Sequence, residues 1–264
     1  MNFHGIRLPD KENITVPGKK LSAGTNANVF EWGTGKVIKL FKASYPMELI
    51  DAEYYNALAV KQLPFKKSIP VELKKTEFGY GIVYDKIQGE NLVDYISRTG
   101  DLKGAALKMA ELQRSINKVQ LDPEKTGALP TAHEVLRKKM VESPKADSDA
   151  TREMIRFLGT MKDGNVLCHG NLSVDNVMIT DDGPVALSAS GYCIGNTLYD
   201  IAKSFYLIAY SPLPGEGEGD EKCAFCGKFS DMEVRKEFGR HYLNAMGHTA
   251  TEIGYYLSMV IAGL

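Results

Sequence analysis

The stretch LCHGNLSVDNVMIT, residues 167–180, carries the pattern that decides the fold of this chain. An apolar run enters a turn at His169, Gly170 and Asn171, and a second apolar run begins after Asp175 and Asn176. Polar groups gathered where a pair of short strands opens are typical of a catalytic loop. Asn171 is an amide at the position where such a loop would need a carboxylate. The sequence therefore raises the question of whether this loop still catalyses a reaction.

Composition restricts the class of protein before any motif is considered. The chain has 264 residues and is 44% hydrophobic, enough for one large domain or two lobes. It carries 32 basic and 33 acidic residues, so we expect neither nucleic acid nor a membrane surface as a partner. The N-terminus lacks a secretory pattern, and four cysteines without such a signal favour the cytoplasm. The apolar residues 253–264 are too few to cross a bilayer and predict a buried helix.

Residues 1–87 are predicted to form a first, nucleotide-binding lobe. Short β-branched and aromatic runs alternate with turn residues between 20 and 87, which indicates an antiparallel sheet. One helix interrupts this pattern, and it is predicted over 46–63 because Pro46 suits a first helical turn.

Residues 88–264 are predicted to form a larger, mainly helical lobe that contains the loop motif of residues 167–180. Helices are expected over 101–119, 131–142 and 149–161, and again from about residue 198. A small antiparallel-sheet lobe joined to a helical lobe gives an α+β fold, with a cleft between the two lobes where ligands usually bind.

The first lobe contains a lysine and a glutamate that are expected to meet. In KVIKLF, residues 36–41, strand alternation puts Val37 and Lys39 on the same face. In the following helix, Glu53 lies three residues after Ile50 and should face the sheet. A buried carboxylate needs a cationic partner, so we predict that Glu53 holds Lys39 toward a phosphate. The alternative is two side chains whose charged ends reach solvent.

The turn before this strand is a weaker candidate for phosphate binding. SAGTNANVF, residues 22–30, contains small and amide residues whose backbone N–H groups could contact a phosphate. Gly24 is its only glycine, and a plain hairpin turn is the alternative.

The order of these features along the chain is more specific than any one of them. A strand lysine and a helix glutamate precede HGNLSVDN (169–176), a predicted strand PVALSAS (184–190) and GNTLYDIA (195–202). This series resembles the aminoglycoside phosphotransferase and choline kinase-like family, which has a protein kinase-like fold. The resemblance runs from about Leu21 to Phe205.

The resemblance implies roles for individual residues. Asn171 stands at the position of the family's catalytic Asp, and Ser188 at that of its metal-binding Asp, so both carboxylates are replaced. His169 and Asp200 are expected to support the loop. The expected cofactor-binding residues are Gly24, Val37, Lys39, Glu53 and Asn176, and the expected metal-binding residues are Asn176 and Ser188. ATP or GTP is the implied cofactor, but magnesium is disfavoured because it prefers anionic oxygen ligands.

Three functions remain open at this point. The first is a pseudokinase that binds a nucleotide, or a small hydroxylated metabolite, with transfer weakened or lost. The second is an active ATP- or GTP-dependent kinase of such a metabolite, in which Asn171 orients the acceptor and another acid holds the metal. Asp175, Asp181 and Asp182 are nearby in the sequence, although Asp181 and Asp182 are more typical of the hairpin turn. The third is a protein-interaction module with a vestigial cleft, whose acidic loop after Tyr210 binds a protein partner.

Cys223 and Cys226 have the spacing of a zinc half-site. His241 and His248 lie downstream, but their intervals differ from the usual finger pattern. We therefore favour the interpretation that the two cysteines have this spacing by coincidence, within an acidic loop that binds no metal.

Overall fold

The computed structural model describes residues 17–122, 129–211 and 228–264. Its N-terminal part contains the strands β1 (Lys20–Ala23), β2 (Ala27–Glu31), β3 (Lys36–Phe41), β4 (Pro70–Thr76) and β5 (Gly79–Asp85). They form one antiparallel sheet in the order β1-β2-β3-β5-β4, which confirms the predicted sheet.

Helix α1 (Met47–Ala59) crosses one face of this sheet. It begins after Pro46 as predicted, but the predicted end at Leu63 is wrong. Pro64 disfavours helical backbone only at Leu63, because a proline restricts the residue before it. After Ala59 the backbone changes to the tighter i→i−3 bonds, from the Lys61 N–H to the Leu58 carbonyl and from the Leu63 N–H to the Val60 carbonyl. Ile50 packs with buried sheet residues such as Ile82, so α1 closes the side of the sheet that faces the rest of the chain.

The C-terminal part is mainly helical. Its helices are α2 (Leu92–Thr99), α3 (Leu102–Asn117), α4 (Ala132–Glu142), α5 (Asp149–Leu158), α6 (Thr197–Ala209), α7 (Met232–Met246) and α8 (Gly254–Ala262). The predicted capping box at the start of α4 is present, with Thr131 and Glu134 each bonding the other's backbone N–H. Helix α2, which the sequence pattern did not predict, is capped by the Asn91 side chain.

Two small sheets lie on either side of the loop in residues 167–180. Strand β6 (Glu90–Asn91) pairs with the hairpin of β8 (Val177–Thr180) and β9 (Gly183–Ala186), and β7 (Val166–Cys168) pairs with β10 (Cys193–Gly195). The strand predicted over 184–190 ends at Ala186 because Ser188 adopts a left-handed backbone, with φ of 57°. The loop over 169–176 therefore lies where both small sheets end.

The apolar C-terminal stretch forms α8, which buries Tyr256, Met259 and Val260 against the helical core, as predicted. Within the described ranges, none of the helices combines the length and apolar character needed to cross a membrane.

Candidate functional site

A cleft of about 970 Å³ lies between the N-terminal sheet and the C-terminal part. Its polar end is defined as the hydrogen-bonded group around Lys39, and apolar wall residues come from the sheet, from β8 and from the segment after β9. The apolar wall residues include Val29, Val37, Tyr84, Met178 and Leu187, and the polar end contains Lys39, Glu53, Asn171, Asn176 and Ser188. Asn171 and every expected cofactor-binding and metal-binding residue line this cleft, including Gly24, whereas the supporting pair His169 and Asp200 does not.

The predicted contact between Lys39 and Glu53 is present. The Lys39 ammonium lies 2.6 Å from Glu53 Oε1, and the Glu53 side chain is only 1% exposed. Lys39 comes from β3 and Glu53 from the face of α1 that packs on the sheet, so the alternation of the strand and the turn of the helix bring them together. The buried carboxylate has its cationic partner, and the lysine remains partly open to the cleft.

The turn around Gly24 lines the cleft but has little free hydrogen-bonding capacity at the glycine itself. The Gly24 N–H donates to the Ala27 carbonyl over 2.9 Å. A Cβ at this position would lie 3.0 Å from the same oxygen, so the close approach explains the glycine. Its backbone donor is used within the turn, as the plain-hairpin alternative requires.

Asp200 holds the backbone at the start of the motif loop. Its two carboxylate oxygens accept from the N–H groups of His169 (3.1 Å) and Gly170 (2.8 Å), and Asn117 donates to it over 2.8 Å. Asp200 and His169 are fully buried. The arrangement agrees with the supporting role expected of Asp200, and Asn117 is a partner that the sequence pattern did not identify.

Both ring nitrogens of His169 bond backbone groups, which indicates a structural role. Its Nε2 donates to the Leu187 carbonyl at 3.2 Å, while Nδ1 accepts from the Asn171 N–H at 3.3 Å, a pattern that one neutral tautomer satisfies. Burial lowers the pKa of His169, which also favours the neutral imidazole.

Asn171 and Asn176 are joined within the loop. Asn176 Nδ2 donates to the backbone oxygen of Asn171 over 2.9 Å, and Asn171 Nδ2 donates to Ser190 Oγ over 3.1 Å. The Ser173 hydroxyl donates to Asp175, whose carboxylate also lines the cleft. Ser190 was missed as a site residue, although its place in LSAS two residues after Ser188 was a usable signal.

Ser188 joins the loop to the Lys39–Glu53 pair. Its Oγ lies 3.3 Å from Lys39 Nζ, donates to Glu53 Oε1 over 3.2 Å and lies 3.3 Å from Ser190 Oγ. Asn171 is thus linked through two serine hydroxyls to the lysine and glutamate of the N-terminal part.

The turn at Ser188 is fixed from both sides. Ser188 is the one non-glycine residue with positive φ in the described part of the chain. His169 bonds the carbonyl before it, and Asn56 of α1 bonds the Ala189 carbonyl after it over 3.2 Å. Such backbone strain persists only where surrounding contacts determine it. Asn56 carried no sequence signal, because its partner lies far along the chain.

Comparisons with known proteins agree on the fold. No family model matches the chain, and no curated protein matches its sequence. Among solved structures, an aminoglycoside phosphotransferase of Streptomyces rimosus, in complex with ADP and streptomycin, superposes with a TM-score of 0.56 at 15% identity over 92% of each chain. An amicoumacin kinase in complex with AMP-PNP, Ca²⁺ and amicoumacin gives 0.57 at 16% identity over 93% of this chain and 78% of that one.

A choline/ethanolamine kinase family protein of Mesorhizobium loti gives 0.53 at 14% identity, over 97% of this chain and 80% of that one. This chain has a protein kinase-like fold. The predicted α+β class and the resemblance to small-molecule phosphotransferases are thereby confirmed, while identity at this level leaves activity undecided.

The donors in this kinase-like cleft fit a magnesium ion poorly. Asn176 and Ser188 are neutral, and the described residues contain no group of three His, Cys, Asp or Glu side chains that could hold a metal. Asp181 and Asp182 lie in the turn between β8 and β9 and are not among the residues lining the cleft. Among the three aspartates near the loop, Asp175 lines the cleft.

The acidic loop after Tyr210 lies outside the described residues, from 212 to 227, and Cys223 and Cys226 lie within that range. The two histidines considered with them lie near acidic side chains of their own segments: His241 is 3.6 Å from Glu237, and His248 is 3.7 Å from Glu252.

Proposed function

We propose that the cleft binds a nucleotide and that phosphoryl transfer to a small-molecule acceptor is strongly impaired. One observation carries this proposal. The Lys39–Glu53 pair is intact, at 2.6 Å, whereas the two positions in the same cleft at which the family resemblance implies carboxylates are Asn171 and Ser188. The chain keeps a means of contacting a phosphate but lacks the acids that would activate an acceptor and hold a metal.

The apolar walls are suited to a flat heterocycle. Val37 on β3 and Leu187 after β9 lie in the same cleft as Met178 on β8, and ligand pockets are commonly lined by such side chains with a few polar groups. The partly exposed Lys39 ammonium then lies at the polar end, where a phosphate oxygen could accept from it. We propose a purine base, of ATP or GTP, and the complexes of two neighbouring structures with ADP and AMP-PNP support a nucleotide in this cleft.

The impairment follows from the chemistry of the amide. Asn171 can orient a hydroxyl through its carbonyl oxygen but cannot take its proton at neutral pH. Loss of a positioned general base costs about 10²- to 10⁴-fold in rate. Asn176 and Ser188 add no negative charge for a metal, which removes a second source of transition-state stabilisation.

A second candidate is a slow but active kinase, and Asp175 is the observation that favours it. This carboxylate lines the cleft next to Asn176 and could supply one anionic ligand. Such an enzyme would require magnesium for turnover, whereas the pseudokinase would bind a nucleotide without turnover.

Calorimetric titration with ATP and GTP, each with magnesium and with EDTA, separates these candidates when combined with an assay of phosphate release. The proposal predicts binding without turnover. Lys39→Ala should weaken nucleotide affinity by at least about tenfold, the usual size of a lost charge-assisted contact. Lys61→Ala, at an exposed lysine after α1, is the matched control. Magnesium-dependent turnover would support the kinase instead, and unchanged affinity in Lys39→Ala would refute the role of Lys39.

A further inference from the structure

Helix α1 directs two buried polar side chains at the same turn of the C-terminal part. Glu53 is 1% exposed and Asn56 is 8% exposed, and residues three apart lie on one face of a helix. The Ser188 hydroxyl donates to Glu53 Oε1 over 3.2 Å. The carbonyl of the next residue, Ala189, accepts from Asn56 Nδ2 over 3.2 Å. Two consecutive residues of the turn are therefore bonded to one face of α1.

The contact with Ala189 explains why an amide occupies this position of the helix. Asn56 lies inside α1, where Asn has a lower helix propensity than Leu or Ala. Its backbone carbonyl accepts from the Val60 N–H in the ordinary helical way, so the side chain makes a separate bond outside the helix. That bond joins residues 133 positions apart along the chain. It is a tertiary contact, and it ties the turn to α1.

The bonded carbonyl follows a residue with unfavourable backbone. Ser188 has φ of 57°, a left-handed conformation that disfavours residues other than glycine. The buried His169 bonds the Leu187 carbonyl from within the C-terminal part, whereas Asn56 bonds from the helix that carries Glu53. Without Asn56, one of the two contacts that determine the turn is lost, and Ser188 can relax toward an ordinary φ.

The turn contacts the lysine of the cleft. Ser188 Oγ lies 3.3 Å from Lys39 Nζ, and it bonds the same Glu53 oxygen that the lysine contacts at 2.6 Å. The Lys39 side chain is 23% exposed, so the ammonium is held on one side and open to the cleft on another. A side chain that is held in place before its ligand arrives loses less conformational freedom on binding. Relaxation of the turn would withdraw the hydroxyl from both groups and remove this benefit.

We propose that Asn56 is a positioning residue for nucleotide binding: its amide fixes the Ser188 turn against α1, and the turn holds the Lys39 ammonium toward the cleft. This inference rests on the proposed function, because it takes the ligand of Lys39 to be a nucleotide. Asn56 is not among the residues that line the cleft. It therefore acts through the turn, and its replacement lowers affinity although no contact with the nucleotide is removed.

The test is a double-mutant cycle in ADP affinity, measured by calorimetry in EDTA. Asn56→Leu keeps a side chain of similar size but removes the donor, so ADP should bind about three- to tenfold more weakly, the net size of one hydrogen bond. In the Lys39→Ala background the same substitution should change ADP affinity by less than about twofold, because its effect passes through Lys39. Asn56→Ala, which adds no bulk, gives the same comparison if the leucine variant does not fold.

Thr151→Ala separates positioning from a general loss of stability. Thr151 is 2% exposed, its hydroxyl accepts from Ser148, and it does not line the cleft. This variant removes a buried hydrogen bond elsewhere and should bind ADP as the wild type does. Wild-type affinity in Asn56→Leu, or an equal loss in Thr151→Ala, would overturn the inference and leave the proposed function intact. An equal loss from Asn56→Leu with and without Lys39 would refute the route through the lysine.

A measurement without nucleotide tests the turn itself. The ¹³C chemical shifts of Ser188 depend on its φ, and its signal is identified by serine-selective labelling and its disappearance in Ser188→Gly. Asn56→Leu should move these shifts toward the values of ordinary backbone, whereas Thr151→Ala should leave them in place. Unchanged Ser188 shifts in Asn56→Leu would overturn the inference whether or not ADP binds. Absence of ADP binding by the wild-type protein would overturn the proposed function and, with it, the nucleotide role of Asn56.

Discussion

Replacing Asp200 with Asn tests how the motif loop is held in place. The buried carboxylate accepts from Asn117 and from the N–H groups of His169 and Gly170 at 2.8, 3.1 and 2.8 Å. An amide has one acceptor oxygen, so its NH₂ group must face at least one of these donors. The donor left without a partner costs about 1–3 kcal/mol, and the two remaining bonds lose their charge-assisted character.

Together these changes predict that Asp200→Asn lowers the free energy of unfolding by about 3 kcal/mol and Tm by about 6–12 °C. Urea denaturation measures the first and calorimetry the second. Hydrogen exchange at Gly170 should accelerate more than exchange in the N-terminal sheet, because its acceptor is lost. Asp182→Asn, at an exposed turn residue, is the control. A loss below about 0.5 kcal/mol, the size of an ordinary surface substitution, would refute the reasoning.

Other features of the structure give three further predictions. Ser188→Asp should fold, since Asp tolerates left-handed backbone better than most residues, and should make nucleotide affinity depend on magnesium; identical Kd values with and without the ion would contradict this. Gly170→Ala should lower the free energy of unfolding by about 3 kcal/mol or more, because the new Cβ would lie 2.2 Å from the Gly191 oxygen. Gly100→Ala, at a similar φ but with open space around it, should lower it by only about 1 kcal/mol, and urea denaturation measures both. Burial lowers the pKa of Lys203 to about 8, below its value in the unfolded chain. The charged ammonium therefore lowers the free energy of unfolding by its full amount below pH 8, and this loss disappears as the pH rises toward about 10.4. Lys203→Met should therefore gain about 1–3 kcal/mol at pH 7 and lose that advantage near pH 10.5; a pH-independent difference from wild type would exclude this explanation.

Local chemistry made much of the fold predictable. The antiparallel sheet followed from alternation and turn residues, and the capping box at Thr131 from its spacing to Glu134. The contact of Lys39 with Glu53 could be predicted because each residue's face is set by its own strand or helix. Helix α1 ends at Ala59, four residues before the predicted end at Leu63, and Pro64 accounts only for the exclusion of Leu63 itself.

The details of the polar end could not be predicted, because they depend on residues that are far apart along the chain. Ser188 owes its left-handed backbone to contacts made by Asn56 and His169 with the carbonyls on either side of it. Ser190 links Asn171 to Ser188 only once that turn exists. The order of the motifs predicted that Asn171 and Ser188 share one site. The hydrogen bonds through the Ser190 hydroxyl that link them could be identified only from the tertiary structure.

The most direct test of the account is a titration of the wild-type protein with ADP, once in magnesium and once in EDTA. The account predicts saturable binding with the same Kd, within about twofold, in both conditions, because Asn176 and Ser188, which stand at the expected metal-binding positions, carry no negative charge. Binding that is tightened tenfold or more by magnesium would contradict it, since another acid would then complete a metal site in the cleft.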